Sequence, residues 1–203
     1  MRKFDVAALG ELLVDFTENG ISTQGNPVLE ANPGGAPCNV LSMLQNLGKS
    51  TAFIGNVGDD VFGRMLADAV ITQGINKDNL VVDPEVHTTL AFVHTKEDGD
   101  REFSFYRNPG ADMMLCWEEV QQEKLAQTEI FHFGTLSMTH EQVKDATQRA
   151  VQHAKKEGAL ISFDPNLRPP LWNSLEDAAR QMWYGIGQCD ILKISDDEIA
   201  FLT

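Results

Sequence analysis

Basic side chains are scarce in this sequence: 16 Lys and Arg stand against 30 Asp and Glu, for a formal net charge of −14. A surface this acidic repels phosphate backbones and anionic lipids, so neither nucleic acid nor a membrane surface is an expected partner. Cysteine is scarce too. Cys38, Cys116 and Cys189 lie more than seventy residues apart, an odd set with neither disulfide-framework nor zinc-site spacing, and a reducing cytoplasm is the expected compartment. No apolar run approaches the ~18 residues of a membrane helix. Asp5 and Glu11 interrupt the apolar start that an export signal needs. The common phosphate and metal motifs are missing as well. There is no P-loop and no GxGxxG, and the His140–Glu141 pair lacks a second His one turn later.

What is present is a chain of 203 residues, 42% hydrophobic and 23% charged, enough to build one sizeable core and too apolar for disorder. Continuous apolar runs of strand length recur at Phe4 to Gly10, Thr51 to Asn56, Ile130 to Phe133, Leu160 to Asp164 and Ile191 to Ile194. Runs that do not alternate suit strands covered on both faces, as in a parallel sheet. Helical periodicity fills the gaps: Val40 to Leu47 stopped by Gly48, Val61 to Val70 stopped by Gly74, and Glu141 to Glu157 stopped by Gly158. Ser174 with Asp177 caps a fourth helix, and Ser195 with Glu198 forms a capping box for another. That last helix meets no stop signal before Thr203, so the sequence reads as a chain cut short. Strands alternating with helices predict an α/β domain.

Two stretches, Thr17 to Pro33 and His87 to Asn108, break this rhythm with short strands around polar turns. The second reads as a hairpin about the KEDGD turn. A small sheet that projects from an α/β core cannot bury its apolar face alone, so segments of about 12–33 and 87–110 are expected to form a lid over a ligand, a contact with a second copy, or both.

The chemistry centres on Ala31 to Asn39, where Gly34 and Gly35 precede a helix starting near Ala36 or Pro37. Glycines there admit a hydroxyl-rich ligand to the backbone N–H groups of a helix N-terminus, and Asn39 adds an amide from the first turn. An ordinary loop before a helix-starting proline reads equally from the same residues. Asp15, just past the first strand, can accept two ligand hydroxyls; a solvated turn acid is the plain alternative. Arg168 follows AspProAsn at the end of a core strand, where a guanidinium could neutralise phosphate oxygens.

Five segments occur together in order: GlyGluLeuLeuValAsp (Gly10 to Asp15), ProGlyGlyAlaProCysAsnVal, the pattern from Ile54 to Gly63, PheTyrArgAsnProGlyAlaAspMet (Phe105 to Met113) and PheAspProAsnLeuArg (Phe163 to Arg168). With them the chain resembles, over its whole length, the PfkB or ribokinase-like carbohydrate kinases, fructokinases above all. The resemblance implies one kinase domain over 1–203, C-terminally incomplete, with a Rossmann-like parallel sheet flanked by helices and a small β-sheet lid. It makes Asp15 the sugar-holding aspartate, with Gly34, Gly35 and Asn39 as the floor. Arg107 would reach the sugar or its nascent phosphate, with Phe103, Phe105 and Tyr106 shaping the lid's inner face; a surface ion pair is the plain alternative for Arg107. Lys193, Ser195 and Glu198 fall on a Lys-Xaa-Asn-Xaa-Xaa-Glu signature beside ATP and Mg²⁺. Lys193 would touch phosphate, Glu198 would hold magnesium through water, and Ser195 could equally be a plain N-cap. His132 and Trp172 read as structural.

The implied activity is ATP-dependent phosphorylation of a sugar hydroxyl, fructose to fructose 6-phosphate, by a homodimer joined through its lids. The family's general base lies in a GlyAlaGlyAsp motif that residues 1–203 lack, so this segment alone is expected to be inactive. Rival substrates are 2-keto-3-deoxygluconate, ribose or a nucleoside, and a non-catalytic sugar sensor is a rival of another class. A dinucleotide oxidoreductase is disfavoured because Glu11 to Val14 occupies the place of its glycine finger.

Overall fold

The computed structural model describes residues 2–95 and 101–203. Six parallel strands form the central sheet in the order β10-β9-β8-β1-β4-β5. They are β1 (Phe4–Leu9), β4 (Thr51–Gly58), β5 (Asn76–Asp83), β8 (Thr128–Gly134), β9 (Leu160–Asp164) and β10 (Ile191–Leu192). After β1 the chain fills one side of the sheet through β4 and β5, then returns to fill the other through β8, β9 and β10. This reversal opens a crevice at the carboxyl ends of β1 and β8, the place where open α/β sheets bind ligands.

The interior strands are buried on both sides, which explains why their sequences do not alternate. Val6, Ala8 and Phe53 pack beneath helices α1 (Ala36–Asn46) and α2 (Val61–Thr72), with Leu41, Leu66 and Val70 closing that layer. Ala7, Leu9, Phe131, Phe133 and Phe163 form the opposite layer against α4 (Glu141–Lys156), through Val143, Ala146, Ala150 and Ala154. The short helix α3 (Gln122–Leu125) and α5 (Leu175–Gln188) lie in the same half of the chain, and Gly185 of α5 sits directly on the Phe163 ring. Asp60 caps α2 by accepting the Phe62 and Gly63 N–H groups, and Ser174 caps α5 through Asp177 N. Among the described residues no helix is long and apolar enough to cross a membrane.

One strand escaped the periodicity reading. In β5 (NKDNLVVD) the sheet has a neighbour on one side only, so the strand is half polar and carries little pattern.

The second sheet is the lid, in the order β3-β2-β6-β7, built from β2 (Leu13–Ile21), β3 (Pro27–Gly34), β6 (Leu90–Thr95) and β7 (Arg101–Tyr106). β2 pairs antiparallel with β3 and parallel with β6, and β6 pairs antiparallel with β7. The KEDGD turn of the expected hairpin lies outside the described residues. Register places Asp15, Asn32, Ala91 and Phe105 in one row, and Phe16, Ala31, Phe92 and Ser104 in the next. Because side chains alternate across a sheet, the first row faces the crevice and the second the opposite side, where Phe16 and Ala31 pack toward α2. On that side Phe16 stacks on Phe92 at 5.0 Å, and Phe92 meets Tyr106 edge-on at 5.2 Å. Tyr106 is therefore on the outside of the lid and largely exposed, a correction to the expectation that it shapes the inner face with Phe103 and Phe105.

Phe163 is fully buried and packs its ring against Phe133 at 4.8 Å. Phe163→Ala is expected to lower unfolding free energy by about 3–5 kcal/mol, read as a shift of the urea midpoint at unchanged slope.

Candidate active site

The crevice between lid and sheet is a polar cleft of about 680 Å³. Asp15, Thr17, Asn32, Phe103 and Phe105 line it from the lid; Gly35, Ala36 and Asn39 come from the start of α1; and Asp164, Asn166 and Arg168 come from the end of β9. Asp15 lies inside lid strand β2, not in a loop after β1, because Leu13 and Val14 already belong to that strand. Its carboxylate rests on Gly34: a Cβ at residue 34 would overlap Asp15 Oδ2. Partial burial pushes the Asp15 carboxyl above its ordinary value, and the nearby Arg168 guanidinium opposes that shift. Asn32 on the neighbouring strand donates to the Thr17 hydroxyl at 3.0 Å, which keeps the inner face of the lid polar beside Asp15.

The helix N-terminus differs from the sequence reading. The Ala36 N–H, expected to be open to a ligand, is already donated to Glu11 Oε1 at 2.7 Å, and Pro37 has no N–H to offer. The glycines serve close approach instead. Gly35 has φ 118°, and a Cβ there would overlap the Glu11 carbonyl. Asn39 remains on the cleft wall.

Arg168 projects across the cleft mouth. Its guanidinium lies 5.7 Å from the centre of the Phe103 ring and donates through Nη1 to the Leu167 carbonyl at 3.0 Å. The turn that carries it is held at two points. Asn166 adopts φ 46° with its N–H on Asp164 Oδ1, and Leu167 N–H donates to Glu198 Oε1 at 2.8 Å. Lys193 pairs with Asp164 at 3.1 Å, within the same cluster.

Arg107 is placed apart from this group. It follows β7 with a side chain only 2% exposed, and it is paired with Asp112 at 2.6 Å. Its remaining donors go to Thr139 Oγ1 at 2.8 Å and the Leu136 carbonyl at 3.0 Å, while Thr89 donates to the other oxygen of Asp112. The plain reading as a surface ion pair is thereby corrected to a buried one. The arginine borders a second depression, of about 500 Å³, that shares Phe103 and Phe105 with the cleft and continues to His140 and Trp172.

Ser195 and Glu198 form a reciprocal cap at the start of α6 (Asp196–Leu202): the Ser195 hydroxyl accepts the Glu198 N–H, and Glu198 Oε2 accepts the Ser195 N–H. Burial pushes the Glu198 carboxyl up, but the backbone N–H groups of Ser195 and Leu167 outweigh it and hold the group below its ordinary value. Each Glu198 oxygen thus accepts one backbone N–H, from Leu167 and from Ser195. Among the described residues there is no group of three or more His, Cys, Asp and Glu side chains that could hold a metal ion. His132 is buried within the sheet with Nδ1 3.0 Å from Ser162 Oγ, and its burial lowers its pKa.

Sequence reasoning passed over five polar cleft residues: Glu11, Thr17, Asn32, Asp164 and Asn166. Asn32 was within reach of the period-two pattern that pairs it with Asp15, and Asp164 and Asn166 sit inside the very motif that supplied Arg168. Glu11 counted as a break in an apolar run and as part of the Gly10 to Asp15 segment, with no role of its own.

A parallel α/β sheet with a carboxylate-bearing cleft at its switch point, roofed by a separate small sheet, makes this a lidded α/β domain. The chain belongs to the pfkB family of carbohydrate kinases, whose profile matches residues 3–203. It is 44% identical over 200 residues to fructokinase-1 of Zea mays and 43% identical to fructokinase-2 of Solanum habrochaites, covering 98% of this chain in both cases. The crystal structure of fructokinase from Xylella fastidiosa superimposes with a TM-score of 0.91 at 34% identity over 98% of the chain, and its ATP-bound form gives 0.89. The chain spans 62% of the maize protein's length, 61% of the Solanum protein's and 62% of the Xylella chain.

The Arg107–Asp112 pair fixes the base of the lid. Asp112→Ala would leave a buried guanidinium without its partner and is expected to cost about 3–5 kcal/mol of stability in denaturant titrations.

Proposed function

We propose that the protein phosphorylates a hydroxyl of a monosaccharide with ATP as donor, and that its substrate is fructose and its product fructose 6-phosphate. The observation that carries this reading is the Asp15 carboxylate seated on Gly34 inside the lidded cleft. A carboxylate with two open acceptor positions suits a pair of neighbouring sugar hydroxyls, and the missing Cβ at Gly34 leaves the room that this carboxylate occupies. Asn39 adds an amide from α1, while Phe103 and Phe105 offer the apolar underside of the lid to the ring's C–H face. The choice of fructose follows the similarity to fructokinases at 44% and 43% identity.

Phosphoryl transfer is mainly positioning and charge neutralisation. Arg168, held at the cleft mouth by the Phe103 ring, is placed to neutralise the oxygens of the moving group. Lys193 supplies a second positive charge near the end of β9, and Ser195 presents the α6 N-terminus on the same side. Magnesium, when bound with ATP, supplies charge neutralisation across the nucleotide phosphates; Glu198 would reach it through water. Arg107 supports the site from below by fixing the lid. The general base falls, by family resemblance, in a GlyAlaGlyAsp motif absent from residues 1–203, so we read this segment alone as inactive. The outer face of the lid, with Phe92 and exposed Tyr106, is read as the contact with a second copy, and the cytoplasm as the compartment.

Steady-state kinetics of the full-length protein on a sugar panel test this reading. Fructose is expected to be preferred over ribose and 2-keto-3-deoxygluconate. Asp15→Asn is expected to raise the sugar KM by about 100-fold, with the ATP KM within about twofold of wild type. A wild-type protein that turns over no sugar, or an Asp15→Asn variant with an unchanged sugar KM, overturns it.

A further inference from the structure

The cleft contains a buried acid that sugar recognition leaves unused. Glu11 follows the end of β1, is only 3% exposed, and lines the cleft beside Gly35, Ala36 and Asn39. Its Oε1 accepts the first N–H of α1, that of Ala36. The two segments so joined also interlock sterically: a Cβ on Gly35 would overlap the Glu11 carbonyl, and one on Gly10 would overlap the Pro37 ring. One segment leads directly into β2, which carries Asp15; the other leads into α1, which carries Asn39. Gly34, immediately before the junction, is the floor beneath the Asp15 carboxylate.

We propose that Glu11 is a positioning residue for sugar binding: by pinning the first amide of α1 to the β1–β2 connection, its carboxylate sets the spacing of Asp15 and Asn39 across the two glycines. The inference rests on the sugar-kinase reading above. It assigns Glu11 no contact with the sugar; the effect passes through the backbone of Gly35 and Ala36.

The strength of this tie depends on the charge of Glu11. Burial pushes its carboxyl up from 4.5 to about 7, against the pull of its own backbone N–H and that of Ala36. Two charged groups face it from the segment after β7, and they oppose each other: Asp112 raises its pKa and Arg107 lowers it. From α1 it is faced by the Cys38 thiol, which its own burial and then the Glu11 charge push upward, so the thiol stays neutral. Above about 7 the hydrogen bond to Ala36 is charge-assisted, and below it a neutral carboxyl accepts more weakly. Sugar affinity therefore rises from pH 6 to pH 8. Fold stability runs the other way: an unfolded chain ionises this group near 4.5, so its contribution falls between pH 4.5 and about 7 and is level above that.

Calorimetric titration of fructose into the full-length protein, from pH 6 to pH 8, tests the proposal. Glu11→Gln keeps an acceptor oxygen but cannot ionise. At pH 8 it is expected to bind fructose about fivefold more weakly than wild type, to match wild type at pH 6, and to lose the pH dependence. ATP KM should stay within about twofold, and the thermal midpoint at pH 8 should not fall. Glu11→Asp restores a charge and should restore a pH dependence with a displaced midpoint; if Glu11→Gln does not fold, this variant decides. Wild-type affinity and pH profile in Glu11→Gln, or an undisplaced midpoint in Glu11→Asp, overturn the inference while leaving the kinase reading intact. A wild-type protein that binds no monosaccharide overturns that reading instead.

Discussion

Gly35 adopts φ 118° with its α-carbon against the backbone of Glu11 and Leu12, and the geometry of the cleft follows from this close approach. A side chain at residue 35 would push α1 away from the β1–β2 connection. Asp15 would then lose the floor it rests on at Gly34, and Asn39 would swing out of line with it. The approach is stabilised from both sides, by the Glu11 hydrogen bond to Ala36 and by the packing of Leu12, Cys38 and Leu41 in the layer beneath α1. The cleft floor is thus an extension of the core.

The lid depends on a different kind of anchor. Its strands pack on the core through Val14, Phe16, Ala31 and Leu90, and the end of β7 is tied down by the Arg107–Asp112 pair with Thr89, Thr139 and the Leu136 carbonyl around it. Buried ion pairs add little net stability compared with apolar packing, but they punish misplacement because an unpaired buried charge is costly. Such a pair suits the base of a lid, where orientation matters more than strength. The third cluster, Asp164, Asn166, Arg168, Lys193 and Glu198, joins the ends of β9 and β10 into a charged rim, and its acids hold backbone N–H groups in place around the two cations.

Much of this was legible without coordinates because it depends on local pattern. The buried strands announced themselves by continuous apolar runs, and α1, α2, α4 and α5 by their period and by the stops or caps at Gly48, Gly74, Gly158 and Ser174. Asp15 and the diglycine step, nineteen residues apart in the chain, meet because β2 pairs antiparallel with β3. The misses share a cause. β5 is an edge strand whose polar side faces water, and Tyr106 occupies the wrong parity in β7 to face the cleft. The partners of Arg107 and Glu198 were invisible because a charged side chain has the same sequence appearance whether it meets solvent, phosphate or a buried acid.

Sequence alone therefore determined the α/β class, most of its elements and where they stop, because periodicity, glycine placement and capping act over a few neighbouring residues. Tertiary structure decided which residues meet. It turned Arg107 inward to Asp112, committed both oxygens of Glu198 to backbone N–H groups, and brought Glu11 to the amide of Ala36, twenty-five residues away in the chain. Contacts between segments so distant are set by how strands register and helices pack. A buried polar group can then pair only with what that packing brings within reach.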